Sequence, residues 1–157
     1  MNLVYRHPSG GCLYQGNFKD ATNVHGLDEA DIKAVVFAAR EKNSAHLPDR
    51  FDVIRARLDD NPFPGEHEAH AMRRCADKIS NLLAIYLENG FNVLSTCAAG
   101  KNRSGLMSGF TLVKLGVPAE QAIAMIRRAR NPFALCNPAF VKMIARSSRR
   151  RSQGVVA

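Results

Sequence analysis

Residues 91–115, F-N-V-L-S-T-C-A-A-G-K-N-R-S-G-L-M-S-G-F-T-L-V-K-L, constrain the fold of this chain more than any other stretch. Phe91 to Thr96 reads as a strand, A-A-G-K-N as a tight loop, and Arg103 to Leu115 as a helix with few charges. A helix that apolar belongs in the interior, with other elements covering it on several sides. A strand that passes through so short a loop into a buried helix is a building unit of α/β architecture.

The neighbouring segments agree with that class. Cys12-Leu13-Tyr14-Gln15, ended by Gly16, and Ile32-Lys33-Ala34-Val35-Val36-Phe37 are strand candidates, with loop or a short helix between them. In D-V-I-R-A-R-L, residues 52–58, Ile54, Ala56 and Leu58 alternate with Val53, Arg55 and Arg57, the period of a strand. Its end delivers Asp59 and Asp60 onto N-P-F-P-G, whose two prolines and glycine make it irregular. From Glu66 to about Asn89, Met72, Cys75/Ala76, Ile79, Leu82/Leu83 and Tyr86/Leu87 recur at helical spacing, and Asn89-Gly90 stops the helix. Gly116-Val117-Pro118 separates the apolar helix from another that runs to about Arg130. A last helix begins at Asn137-Pro138, buries Phe140, Val141 and Ile144, and is expected to fray beyond Arg146.

The chain has 157 residues, 46% of them apolar, without internal repeat, which suits one domain with a substantial core. The expected division is a domain over 1–146 and a basic, flexible tail over 147–157. The N-terminus lacks the apolar run of a signal peptide, and no apolar stretch approaches the roughly 20 residues a bilayer requires. Cys12, Cys75, Cys97 and Cys136 lie far apart and form no C-x-x-C pair, so reduced thiols and a cytoplasmic location are expected. His67-Glu68-Ala69-His70 lacks the H-E-x-x-H spacing of a metal site and reads as an exposed first helical turn.

The net charge of +8 is uneven: residues 1–126 carry 14 Lys/Arg against 14 Asp/Glu, whereas residues 127–157 carry 8 Lys/Arg and no acid. The basic C-terminus is a candidate contact for anionic lipid or nucleic acid, although a solvated tail is the commoner use of such a segment.

The loop carries the chemistry. A strand-to-helix turn can curl until successive backbone N–H groups converge on one point, an anion nest backed by the positive end of the helix dipole. Ala98, Ala99, Gly100, Lys101 and Asn102 would line such a phosphate cradle, with Gly100 permitting the curvature. Cys97 at its base would be held as thiolate, the nucleophilic form. Arg103 can return its planar fork to two phosphate oxygens, and Ser104 can donate its hydroxyl to the sulfur when that sulfur must leave. A thiolate expels an alkoxide or phenolate poorly, so an acid is also needed, and Asp59 and Asp60 are the candidates. The scheme requires no metal and no other cofactor. The competing reading of Cys97 is an ordinary buried thiol, and of the aspartates a turn pair. Phe63 and Phe133 are candidates for the mouth of the site or for simple packing.

With these residues in view, Cys97–Ser104 resembles the C-x5-R-[ST] loop of the cysteine-dependent protein tyrosine phosphatase superfamily, closest to its compact dual-specificity type, in which A-G-x-N-R-S-G is frequent. The resemblance covers roughly residues 11–146: G-C-L-Y-Q-G is similar to the opening strand of that family, L-D-D-N to its acid loop, and Asn137-Pro138-Ala139-Phe140 to the start of its last helix. It implies a single α/β domain with a central, mostly parallel twisted sheet of four to five strands flanked by helices. It also implies a monomer acting on phosphotyrosine, and on phosphoserine or phosphothreonine, in proteins or peptides. The implied roles are nucleophile for Cys97, phosphate ligand for Arg103, thiolate-assisting hydroxyl for Ser104 and general acid for Asp60, with Asp59 the alternative. The family usually has His before the cysteine, and this chain has Thr96. Two other uses of the site are a phosphoinositide phosphatase, suggested by Lys101, and an RNA 5′-phosphatase; a module that binds phosphorylated ligands without turnover belongs to a different class.

Overall fold

In a computed structural model, which describes residues 1–42 and 46–153 (the last six as backbone only), five strands form one mixed sheet in the order β1-β2-β5-β3-β4. The strands are β1 (Asn2–Arg6), β2 (Cys12–Asn17), β3 (Ile32–Ala39), β4 (Asp52–Leu58) and β5 (Asn92–Cys97). Only β1 runs antiparallel to its neighbour; the β2–β5, β5–β3 and β3–β4 pairs are parallel. The mostly parallel sheet expected from the resemblance is therefore present, with five strands. β1 is the strand the hydrophobic pattern did not mark: its five residues keep only Val4 buried and lie at the sheet edge.

Parallel neighbours need connections that cross a face of the sheet: the first two helices lie between β2 and β3 and the third between β4 and β5, and three more follow the last strand. The helices are α1 (Phe18–Thr22), α2 (Val24–Glu29), α3 (Glu66–Glu88), α4 (Arg103–Lys114), α5 (Ala119–Ala129) and α6 (Pro138–Gln153). The short helices stand where loop or helix was expected, α1 opened by a reciprocal cap between Asn17 and Asp20. Because strand side chains alternate, β3 serves two cores at once. Ala34, Val36 and Ala38 face the large cluster, which includes residues of α3, α4, α5 and α6; Val35 and Phe37 face a smaller one with Ala21 and Leu27. Burial on both sides explains why β3 reads as a continuous apolar run.

Helix α4 is the centre of the larger layer: every residue from Arg103 to Val113 is buried. At Gly109 a Cβ would meet the Ile144 side chain at 2.5 Å, so the glycine is what lets α6 lie this close. The backbone of α6 stays helical to Gln153, past Arg146 where fraying was expected. The remainder of the proposed tail, 154–157, lies outside the described residues. No helix among the described residues is long and apolar enough to cross a membrane.

Candidate active site

β5 is the central strand, flanked on both sides, and its carboxyl end carries Cys97, 4% exposed. The next five residues turn back to start α4. Their carbonyl groups are all engaged by the surrounding body of the protein. Ala98 O accepts from Phe18 N (3.4 Å), Ala99 O from Arg130 Nη2 (3.5 Å), and Gly100 O from both Gln15 Nε2 (3.1 Å) and Arg130 Nε (3.0 Å). Lys101 O accepts from Leu135 N (3.3 Å) and Asn102 O from Leu106 N (2.8 Å).

A peptide plane whose C=O points outward turns its N–H the other way. Among the described residues, no protein acceptor takes the backbone N–H of any residue from Ala98 to Gly105. The loop is thus a ring of free donors at the N-terminus of a buried helix, as an anion nest requires. Gly100 makes the turn possible. Its φ is +69°, and a Cβ there would lie 2.6 Å from the Gly16 backbone.

Arg103, 7% exposed, bends back from the first turn of α4. Glu41, on the 3-10 turn Arg40–Lys42 after β3, holds the Nη1/Nη2 edge of its guanidinium with bonds of 2.6 and 2.7 Å. Nη1 also donates to Leu58 O at 3.3 Å. The Nε on the other edge is buried with no hydrogen-bond partner among the described residues. A guanidinium fixed along one edge presents the other to a carboxylate or phosphate. Burial disfavours the Arg103 cation, but the Glu41 hydrogen bonds and nearby negative charge outweigh it and raise its pKa. Hydrogen bonding to Arg103 in turn holds the Glu41 carboxyl below the usual glutamate range, against a smaller opposing effect of burial.

Ser104 Oγ lies 3.3 Å from Cys97 Sγ, within reach of a sulfur-involving hydrogen bond. Ser95 Oγ donates to Ser104 O at 3.0 Å, fixing the start of α4 to the strand that enters the loop. Thr96, where the resembling family usually has His, donates its hydroxyl to Val36 O at 2.6 Å and so braces β5 against β3.

The two aspartates have different surroundings. Asp59 forms an exposed ion pair with Arg40 at 3.1 Å. Asp60 faces the loop: Oδ2 accepts from Asn102 Nδ2 (3.0 Å) and Oδ1 from Asn137 Nδ2 (2.8 Å). Asn137 also caps α6, its Oδ1 accepting from Ala139 N (3.0 Å) and Phe140 N (3.3 Å), and its backbone N–H donates to Asn102 Oδ1 (3.2 Å). The triangle Asp60–Asn102–Asn137 ties together the acid loop, the nest and the start of α6.

The structure thus brings Cys97, Arg103, Ser104, Asp60 and residues 98–102 into one constellation and leaves Asp59 outside it. Lys101 is exposed, and its side chain has no partner among the described residues. Phe63 and Phe133 are 85% and 72% exposed, the highest values among the large apolar side chains. Each follows an Asn-Pro pair, and each N–H donates to the Asn side chain two residues earlier at 2.9 Å, so both rings stand on the same kind of turn.

Glu41, Arg130, Asn102 in its tethering role and Asn137 as a tether of the acid loop escaped the sequence reading. The Asn-Pro helix start was visible for Asn137. Nothing local distinguishes Glu41 or Arg130 from other surface charges.

The fold is that of the compact dual-specificity phosphatases. It is similar to a mouse dual-specificity phosphatase complexed with zinc tungstate, with 20% identity over 98% of this chain and 90% of that one and a TM-score of 0.78. Human DUSP28 is similar at 18% identity over 98% of this chain and 99% of that one, with a TM-score of 0.71. A human tyrosine phosphatase-like serine/threonine/tyrosine-interacting protein aligns at 17% identity over 100% and 98%, with a TM-score of 0.72. No protein-family model and no curated protein matches the chain.

Proposed function

We propose that this chain is a cysteine-dependent phosphatase that hydrolyses phosphate monoesters on proteins, phosphotyrosine first and phosphoserine or phosphothreonine as well, through a phosphocysteine on Cys97. The observation that carries the reading is the run of N–H groups from Ala98 to Gly105 that have no partner among the described residues, joined by the unpaired Nε of Arg103, in the loop that begins at the buried Cys97 thiol. An ordinary buried cysteine has no use for such a surround.

In the first step the Cys97 thiolate attacks phosphorus from the side opposite the leaving oxygen. The S–P bond forms as the P–O bond breaks, and Asp60 gives its proton to the departing oxygen. The nest and the Nε/Nη2 edge of Arg103 hold the three equatorial oxygens, where negative charge concentrates in the transition state. In the second step the Asp60 carboxylate takes a proton from water, the water oxygen bonds to phosphorus, and the sulfur departs with its electron pair, stabilised by the Ser104 hydroxyl. Asp60 is favoured over Asp59 because its carboxylate is tied to the loop through Asn102 and Asn137.

The free, exposed Lys101 side chain favours a second reading at the same site, an inositol-lipid phosphatase. A metal-free panel of phosphotyrosine peptide, phosphoinositide and triphosphate-ended RNA separates the substrates. The peptide is expected to be hydrolysed fastest, and a wide margin for lipid or RNA overturns the protein assignment. Stoichiometric phosphopeptide binding without phosphate release overturns catalysis itself.

A further inference from the structure

Helices α3, α4 and α6 enclose a cavity of about 610 Å³ that shares no lining residue with the nest. On α4 it begins at Phe110, seven residues beyond Arg103, or about 10 Å along the helix. Its floor is apolar: Phe110 and Val113 from α4 and Met143 from α6 are nearly buried and belong to the main core. Its rim is cationic. Arg73 and Arg74 come from α3, Arg146 from α6 and Lys114 from α4.

Of these four cations, Lys114 alone has an acid among the described residues, Asp77 at 2.8 Å. Arg73, Arg74 and Arg146 form no ion pair among the described residues. Elsewhere Arg40 pairs with Asp59, Arg50 with Asp28 and Arg103 with Glu41, while Arg127 and Arg130 donate to backbone carbonyl groups. Three unpaired guanidinium groups around one hollow repel each other, and an anion inside it relieves that repulsion. An anion alone gains little from the apolar floor, and a hydrocarbon alone gains nothing from the rim.

We propose that this cavity binds a single-chain amphiphilic anion, an acyl or aryl body on the Phe110–Met143 floor with a carboxylate or phosphate head among Arg73, Arg74 and Arg146. The volume falls within the range of small-ligand sites and is several times that of one inserted side chain, which favours a whole small molecule over a docked peptide. A planar membrane does not reach a concave floor between three helices.

The test uses the full chain and the fluorescent anion 8-anilinonaphthalene-1-sulfonate. One saturable site is expected, emptied by dodecanoate below its micellar concentration and unaffected by dodecylammonium or inorganic phosphate. Arg73→Glu with Arg146→Glu should weaken binding of both anions by about tenfold or more while circular dichroism stays unchanged. Lys19→Glu, a charge reversal on α1, should leave binding unaltered. Non-saturable fluorescence, insensitivity to the double reversal, or equal displacement by dodecylammonium overturns the proposal. Tighter binding of a glutamate-rich peptide containing leucine than of dodecanoate reassigns the site to peptides. Sedimentation with phosphatidylserine vesicles through the same arginines, without competition by dodecanoate, reassigns it to membranes.

Discussion

Arg103 shows how one side chain can be fixed and available at once. Glu41 consumes the Nη1/Nη2 edge and leaves a buried Nε with nothing to bond, so the guanidinium is oriented before any phosphate arrives. Preorganisation of this kind lowers the reorganisation a transition state must undergo. Glu41→Gln is therefore expected to reduce kcat/KM up to about a hundredfold while leaving Cys97 in place. The pair also has a pH signature. The folded Glu41 has a lowered pKa, so its stabilisation is complete above the ordinary value of 4.5 and is lost as pH falls through the lower folded value. The Tm of Glu41→Gln should lie below that of the parent at pH 7, with the gap closing below about pH 4. A gap that widens in acid contradicts the sign. Gly100 is the second decisive residue, since a methyl there meets the Gly16 backbone at 2.6 Å with φ at +69°. Gly100→Ala should cost roughly 1–3 kcal/mol in denaturant unfolding and raise KM for an aryl phosphate. Unaltered KM and stability mean the loop is not held as described.

At the scale of elements, three separate segments meet at Asp60. Asn102 brings the nest, Asn137 brings the first turn of α6, and the aspartate brings the end of β4. Asn137→Ala removes a helix cap and an acid tether together. The expected result is about 1 kcal/mol lost in stability, and phenyl phosphate turnover slowed by about tenfold or more while nitrophenyl phosphate, with its better leaving group, is little changed. Equal slowing of both places the defect in phosphate binding instead.

What was legible in the sequence follows the same division. The strand, loop and helix around Cys97 could be read because all their determinants lie within 25 consecutive residues, and α3 because its apolar spacing is regular. β1 could not, since an edge strand with one buried residue leaves no pattern. Nor could the Glu41–Arg103 pair, 62 positions apart in the chain, or Arg130 against Gly100, 30 apart. Such contacts are products of topology, and topology is not written locally.

For the whole molecule, the strand order puts β5 between β2 and β3, with helices on both faces, so the thiol sits at the carboxyl end of the best-supported strand. Parallel strands feed their loops to that same end, which brings Glu41 after β3 and Asp60 after β4 to the loop after β5. The site is thus a consequence of the sheet. The fold itself is shared with a structure only 20% identical in sequence. The central claim is a covalent intermediate on Cys97. Its most direct measurement is rapid acid quenching during metal-free turnover of an aryl phosphate, followed by peptide mass spectrometry. The expected result is a phosphate adduct on the peptide containing Cys97 that is absent, together with turnover, in a folded Cys97→Ser variant. Turnover that continues undiminished in that variant, or a phosphate adduct on another residue, would contradict it.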